Sequence, residues 1–102
     1  MRQVVVSQTG TGSSAVIATD LYISPFNVGF GVVVASTVEY TVEHTFDNPQ
    51  TTESPTWFPH PTVFELAVNS DGNYAFPVAG IRVTVNSGGG TATLTLIQAG
   101  IA

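Results

Sequence analysis

The 102-residue chain has no cysteine and no lysine. Without cysteine, neither a disulfide framework nor a thiolate metal site can hold the fold, so stability rests on packing and backbone pairing. Charged residues are 9% of the chain, against roughly 25% in an ordinary soluble domain. The basic complement is Arg2 and Arg82 alone, set against seven carboxylates, for a net charge of −5. That leaves almost nothing to neutralise phosphates or anionic lipid, and neither nucleic acid nor a membrane is expected as a partner. Long apolar runs are also missing. Val4-Val5-Val6 is too short for a signal peptide, and Val28 to Ala35 falls far below the roughly 20 residues of a spanning helix, so production and use without secretion are expected.

What is present is a β-forming composition. No window places apolar residues at helical spacing, whereas β-branched and aromatic residues dominate and Gly, Pro, Asn and Asp punctuate at short intervals. The length suits one domain spanning 1–102. Strands are expected near Gln3 to Ser7, Ala15 to Ser24, Val28 to Val34, Thr37 to Phe46, Thr62 to Val68, Tyr74 to Pro77, Ile81 to Asn86 and Thr91 to Ile97. About seven or eight short strands of this kind make an all-β, two-sheet antiparallel β-sandwich, of jelly-roll or immunoglobulin-like type.

The strongest period-two alternation is at the end of the chain. Pairing Asn86 with Thr91 across Ser87-Gly88-Gly89-Gly90 would set Val85 against Ala92, Val83 against Leu94 and Ile81 against Leu96, a hairpin with one apolar face. In Thr37 to Phe46, one face carries Val38, Tyr40, Val42, His44 and Phe46 and the other carries Thr37, Glu39, Thr41, Glu43 and Thr45. In Thr62 to Val68, Phe64, Leu66 and Val68 are expected to point inward, and Asp71-Gly72 to turn the chain toward Tyr74.

Catalytic signatures are sparse. Glu39 and Glu43 would stand roughly 13 Å apart along a strand, beyond the about 5 to 9.5 Å of glycosidase carboxylates, and read as a solvated face. His44 and His60 are residue types that bind zinc or manganese, with Glu65 or Asp47 as carboxylates, but no ligand spacing supports such a site. His44 reads as a hydrogen-bonded neutral core histidine. Asn69-Ser70-Asp71-Gly72-Asn73 lacks the ligand alternation and closing glutamate of a calcium loop. There is no nucleophile elbow and no phosphate loop, so no catalytic residue, cofactor or metal is assigned and no enzyme is expected.

The segment from Asp47 to Pro61 is a long irregular loop holding four of the six prolines, and Trp57-Phe58-Pro59-His60-Pro61 within it is the candidate recognition surface. Trp57 and Phe58 serve either as an aromatic anchor at an interface or as a plug over the open end of the sandwich. His60, stiffened between two prolines, and Arg82, on a polar strand face, complete the partner-contact candidates.

Val38 to Pro49, Trp57 to His60 and Asp71 to Arg82, taken with the Thr-rich final strands, resemble small β-sandwich structural proteins of tailed bacteriophages across roughly the last two-thirds of the chain. The resemblance implies a virion protein made in the host cytoplasm and carried on the capsid exterior. Its role would be that of a capsid decoration or cement protein, with the major capsid protein and copies of itself as partners, or a neck or tail subunit. A homo-oligomeric or lattice-bound state follows from such a role. Val4-Val5-Val6 would then be free to add as a strand to a neighbour. The alternative from another class is a carbohydrate-binding module with Trp57 and Tyr74 stacked on sugar rings.

Overall fold

A computed structural model describes residues 3–21 and 26–98. The chain is all-β and builds two antiparallel sheets packed as a sandwich. The strands are β1 Val4–Thr9, β2 Gly12–Ser13, β3 Ile17–Ala18, β4 Val28–Ala35, β5 Glu39–Thr45, β6 Trp57–Pro59, β7 Ser70–Tyr74, β8 Gly80–Ser87 and β9 Thr91–Gln98. One sheet runs β1-β9-β4-β7; the other runs β2-β8-β5-β6, with β3 also paired to β8.

The final two strands do not pair with each other, which corrects the expected hairpin. β8 pairs with β2, β3 and β5, and β9 pairs with β1 and β4, so the Ser87-Gly88-Gly89-Gly90 connection crosses from one sheet to the other. The alternation still directs Ile81, Val83, Val85, Ala92, Leu94 and Leu96 inward, and all six are buried in one core, but they approach it from opposite sheets. The glycines make the crossing tight. A Cβ on Gly88 would strike the Thr37 carbonyl and one on Gly90 the Ala35 carbonyl, because the β4–β5 crossing nests against them. The Gly90 N–H donates to Thr37 O at 3.0 Å, and Gly10, in the β1–β2 crossing, donates to Gly90 O at 3.0 Å. Three inter-sheet crossings therefore interlock at one end of the sandwich.

Two further expectations are corrected. Residues 62–68 form no regular strand: Leu66 bridges Tyr40, Val63 O accepts from Val42 N, and Glu65 takes φ 53° between them. That left-handed residue breaks the alternation, so Val63 and Leu66 turn inward while Phe64 and Val68 are exposed. Asp71-Gly72 is not a turn but the middle of β7, paired with Gly31 and Phe30 of β4. A Cβ on Gly72 would lie 2.9 Å from Phe30 Cζ and 3.2 Å from His60 Cε1. The glycine therefore makes room for two rings.

The expected strand from Ala15 to Ser24 shrinks to β3, and its part at 22–24 lies outside the described residues. The expected strand from Tyr74 to Pro77 retains only Tyr74, which ends β7. β1 is spent within the chain, paired over six residues with β9, so Val4-Val5-Val6 is not a free donor strand.

Candidate functional site

β5 carries His44 into the interior near the margin of its sheet, and the β5–β6 pairing sets Phe58 directly opposite it. The two rings stack at 6.0 Å and 26°. Phe46, one residue beyond β5, and Phe76, in the crossing from β7 to β8, close around the same histidine at 5.4 and 5.7 Å. Phe46 lies 5.8 Å from Phe58 and 6.3 Å from Phe76. These three phenylalanines are 57%, 45% and 42% exposed in the order Phe46, Phe58, Phe76, and they form a contiguous aromatic patch over a buried histidine. Exposed apolar clusters of this kind mark contact surfaces far more often than isolated exposed residues do.

The floor of the patch is buried. Tyr74, 0% exposed, lies 3.0 Å from His44 Nδ1 through its hydroxyl. Burial raises the Tyr74 pKa, with the Glu43 charge adding to it, so the phenol keeps its proton; Nδ1 is the hydroxyl's one hydrogen-bond partner among the described residues, which assigns the phenol as donor and leaves the imidazole proton on Nε2. Burial, reinforced by His60, lowers the His44 pKa below its ordinary 6.5, so the imidazole is neutral at pH 7. Tyr74 is flanked on its other side by His60 at 5.0 Å, which in turn meets Phe30 edge-on at 5.1 Å. His60 Nδ1 accepts from the backbone N–H groups of Thr62 and Val63 at 3.2 and 3.1 Å, so its Nε2 bears the proton and donates to Asn73 O at 3.1 Å. His60 is buried and ties the 60–63 segment to β7; it does not stand at the surface as a contact residue. Among the described residues, no three His, Asp or Glu side chains come together in a group that could hold a metal ion.

Trp57 points the other way, because successive residues of β6 alternate between faces. On the outer face of its sheet the Arg82 guanidinium lies 4.0 Å from the Trp57 ring centroid. Arg82 Nε donates to Glu43 Oε1 at 2.8 Å, and Thr84 Oγ1 donates to the same oxygen at 2.6 Å. Trp57 is half-buried beneath an arginine, neither a core plug nor a free anchor, and Arg82 is committed to an intrachain network. Tyr74, fully buried, has no exposed ring face to pair with Trp57 in stacking on a sugar.

Of the four contact candidates, Phe58 lies in the aromatic patch, Trp57 and Arg82 form a separate cluster, and His60 is interior. Phe46 and Phe76 are patch members that sequence reasoning missed. Phe46 shares the strand face of Val42 and His44 in the sequence pattern but lies beyond the end of β5, where it is exposed, and Phe76 carries no signal beyond being aromatic between Ala75 and Pro77. No protein-family model, curated protein or solved structure matches the chain.

Proposed function

We propose that this protein is a non-enzymatic structural subunit of a bacteriophage virion, a decoration or cement protein that adheres to the capsid exterior and strengthens the head shell. The observation that carries the reading is the exposed Phe46, Phe58 and Phe76 patch over the buried, hydrogen-bonded His44–Tyr74 pair. Aromatic side chains packed against a buried ring, as these three are against His44, lose little conformational freedom on contact and concentrate binding energy when water is excluded. The low charge of the chain supports the same reading, since a surface poor in lysine buries against neighbouring protein at small desolvation cost. Repetition over a shell multiplies a modest contact, so each copy needs to contribute only a standard-sized interface.

Immunogold electron microscopy of the particles with antibody to this chain tests the reading. Label distributed over the heads supports it. Label confined to the neck or tail replaces it with a ring or adaptor role, and unlabelled particles overturn a virion role altogether.

A further inference from the structure

The outer face of the four-stranded sheet has a composition that the isolated chain does not explain. The register aligns Val5, Thr95, Gly31 and Asp71 in one row across the four strands, with Ser7, Thr93 and Val33 in the next. Gly29 and Gly31 stand on this face in β4, an interior strand whose both edges are paired. Neither takes a positive φ. A Cβ on Gly29 would meet nothing within 4 Å, and one on Gly31 only Ser70 O at 3.9 Å. This contrasts with Gly72, Gly88 and Gly90, where neighbouring atoms of the same chain forbid a side chain. Glycine within a strand weakens it and marks a place where another backbone or side chain comes close. Here nothing in the chain itself comes close.

We propose that this face is a self-association surface, and that its occupant is the same face of a second copy of this chain. Val33 stands exposed two residues from Gly31 on the same strand face. A two-fold axis lying in the interface across β4, between Gly31 and Val33, seats Val33 of each copy in the hollow over Gly31 of the other. The surface is then complementary to itself, as an isologous contact requires. Charge favours this occupant. Of the seven carboxylates of a chain with net charge −5, only Asp71 lies on this face, so two copies meet here with little like-charge repulsion. Four hydroxyls on it are already paired across strands, Ser7 with Thr93 at 3.1 Å and Thr9 with Thr91 at 2.8 Å, which lowers the cost of removing them from water. Four strands about 4.8 Å apart, of eight, eight, six and five residues and so about 17 to 27 Å long, present about 440 Å² in projection per copy. Two such faces total about 900 Å², within the size range of weak and transient interfaces, so the free chain forms a reversible dimer of micromolar or weaker affinity. The inference deepens the structural reading above by naming the face that copies use.

Sedimentation velocity of the isolated chain over the micromolar to millimolar range tests it without any particle. The expected result is a concentration-dependent dimer. Gly31→Thr fills both symmetry-related hollows and is expected to weaken dimerisation by about a hundredfold, at about tenfold per seat, while raising the urea midpoint of the monomer, because a β-branched residue replaces a strand glycine. Gly31→Val combined with Val33→Gly exchanges knob and hollow and is expected to restore the dimer that Gly31→Val alone loses. A chain monomeric throughout the range, or a dimer unaffected by Gly31→Thr, overturns the proposal. Either outcome leaves the aromatic patch and its particle binding to be judged separately.

Discussion

Tyr74→Phe removes one oxygen from the floor of the aromatic patch and nothing else. The ring is fully buried, so its packing against His44, His60 and Phe30 is kept, and what is lost is the donor to His44 Nδ1 at 3.0 Å. A typical net hydrogen bond contributes about 1 kcal/mol, and a buried acceptor left without a donor costs about 1–3 kcal/mol. His44 is only 5% exposed, so water recovers little of this and the variant is expected to lose about 1–3 kcal/mol. His44→Leu alone strands the Tyr74 hydroxyl and is expected to cost a similar amount. The double variant leaves no polar group unpaired, so its loss should fall well short of the sum of the two. Urea unfolding followed by fluorescence of Trp57, the sole tryptophan, measures all four corners of this cycle. A Tyr74→Phe change below about 0.5 kcal/mol, the range of ordinary surface substitutions, or strictly additive losses, would refute the coupling.

Other expectations follow from the same geometry. Because the folded His44 pKa lies below 6.5, the unfolded chain binds more protons as pH falls, so stability is full above about pH 6.5 and declines from there toward the lowered folded value; urea midpoints between pH 8 and 5 should show this slope, reduced in His44→Leu. Gly72→Ala places a methyl 2.9 Å from Phe30 Cζ and should cost about 1–3 kcal/mol by overpacking, read as a lower thermal midpoint. Arg82→Ala removes an ion pair and a cation–π contact that are both partly solvated, so a loss of about 1 kcal/mol, smaller in high salt, should accompany a shift in Trp57 emission. Phe58→Ser and Phe76→Ser should each weaken binding to particles by more than about 1 kcal/mol in a co-sedimentation titration, with the urea midpoint little changed.

Period-two patterning made the faces of the strands legible but not their neighbours. In Ile81 to Asn86 and Thr91 to Ile97 every inward residue was identifiable, yet the same alternation fits a hairpin and a crossing between facing sheets equally well. The choice rests on the close approach of Gly88 and Gly90 to the β4–β5 crossing, a contact between residues more than fifty positions apart in the chain. His44 was legible as a bonded core histidine because its strand alternates cleanly from Val38. Asp71-Gly72 was misleading because the usual turn chemistry was overridden by the space that Phe30 and His60 require. The aromatic patch was half visible. Phe58 stands out beside Trp57 and the prolines, but Phe46 and Phe76 become its neighbours only when β5 pairs with β6 and the 75–79 crossing returns the chain to the same margin.

The pairing of β1 with β9 has a consequence for the order in which the protein assembles. These strands lie at opposite ends of the described chain, and β4 waits for the same partner, since its neighbours are β7 and β9. The four-stranded sheet therefore cannot close until residues through Gln98 have left the ribosome. Among directly consecutive strands only β5 and β6 pair, so almost every ladder closes a long loop before it gains a contact. Topologies dominated by distant pairings fold in milliseconds to seconds rather than microseconds. Until β9 arrives, the inner faces of β1 and β4 and the strand edges beside them remain uncovered. Refolding yield should accordingly fall steeply with protein concentration, because intermolecular pairing competes with closure during that interval.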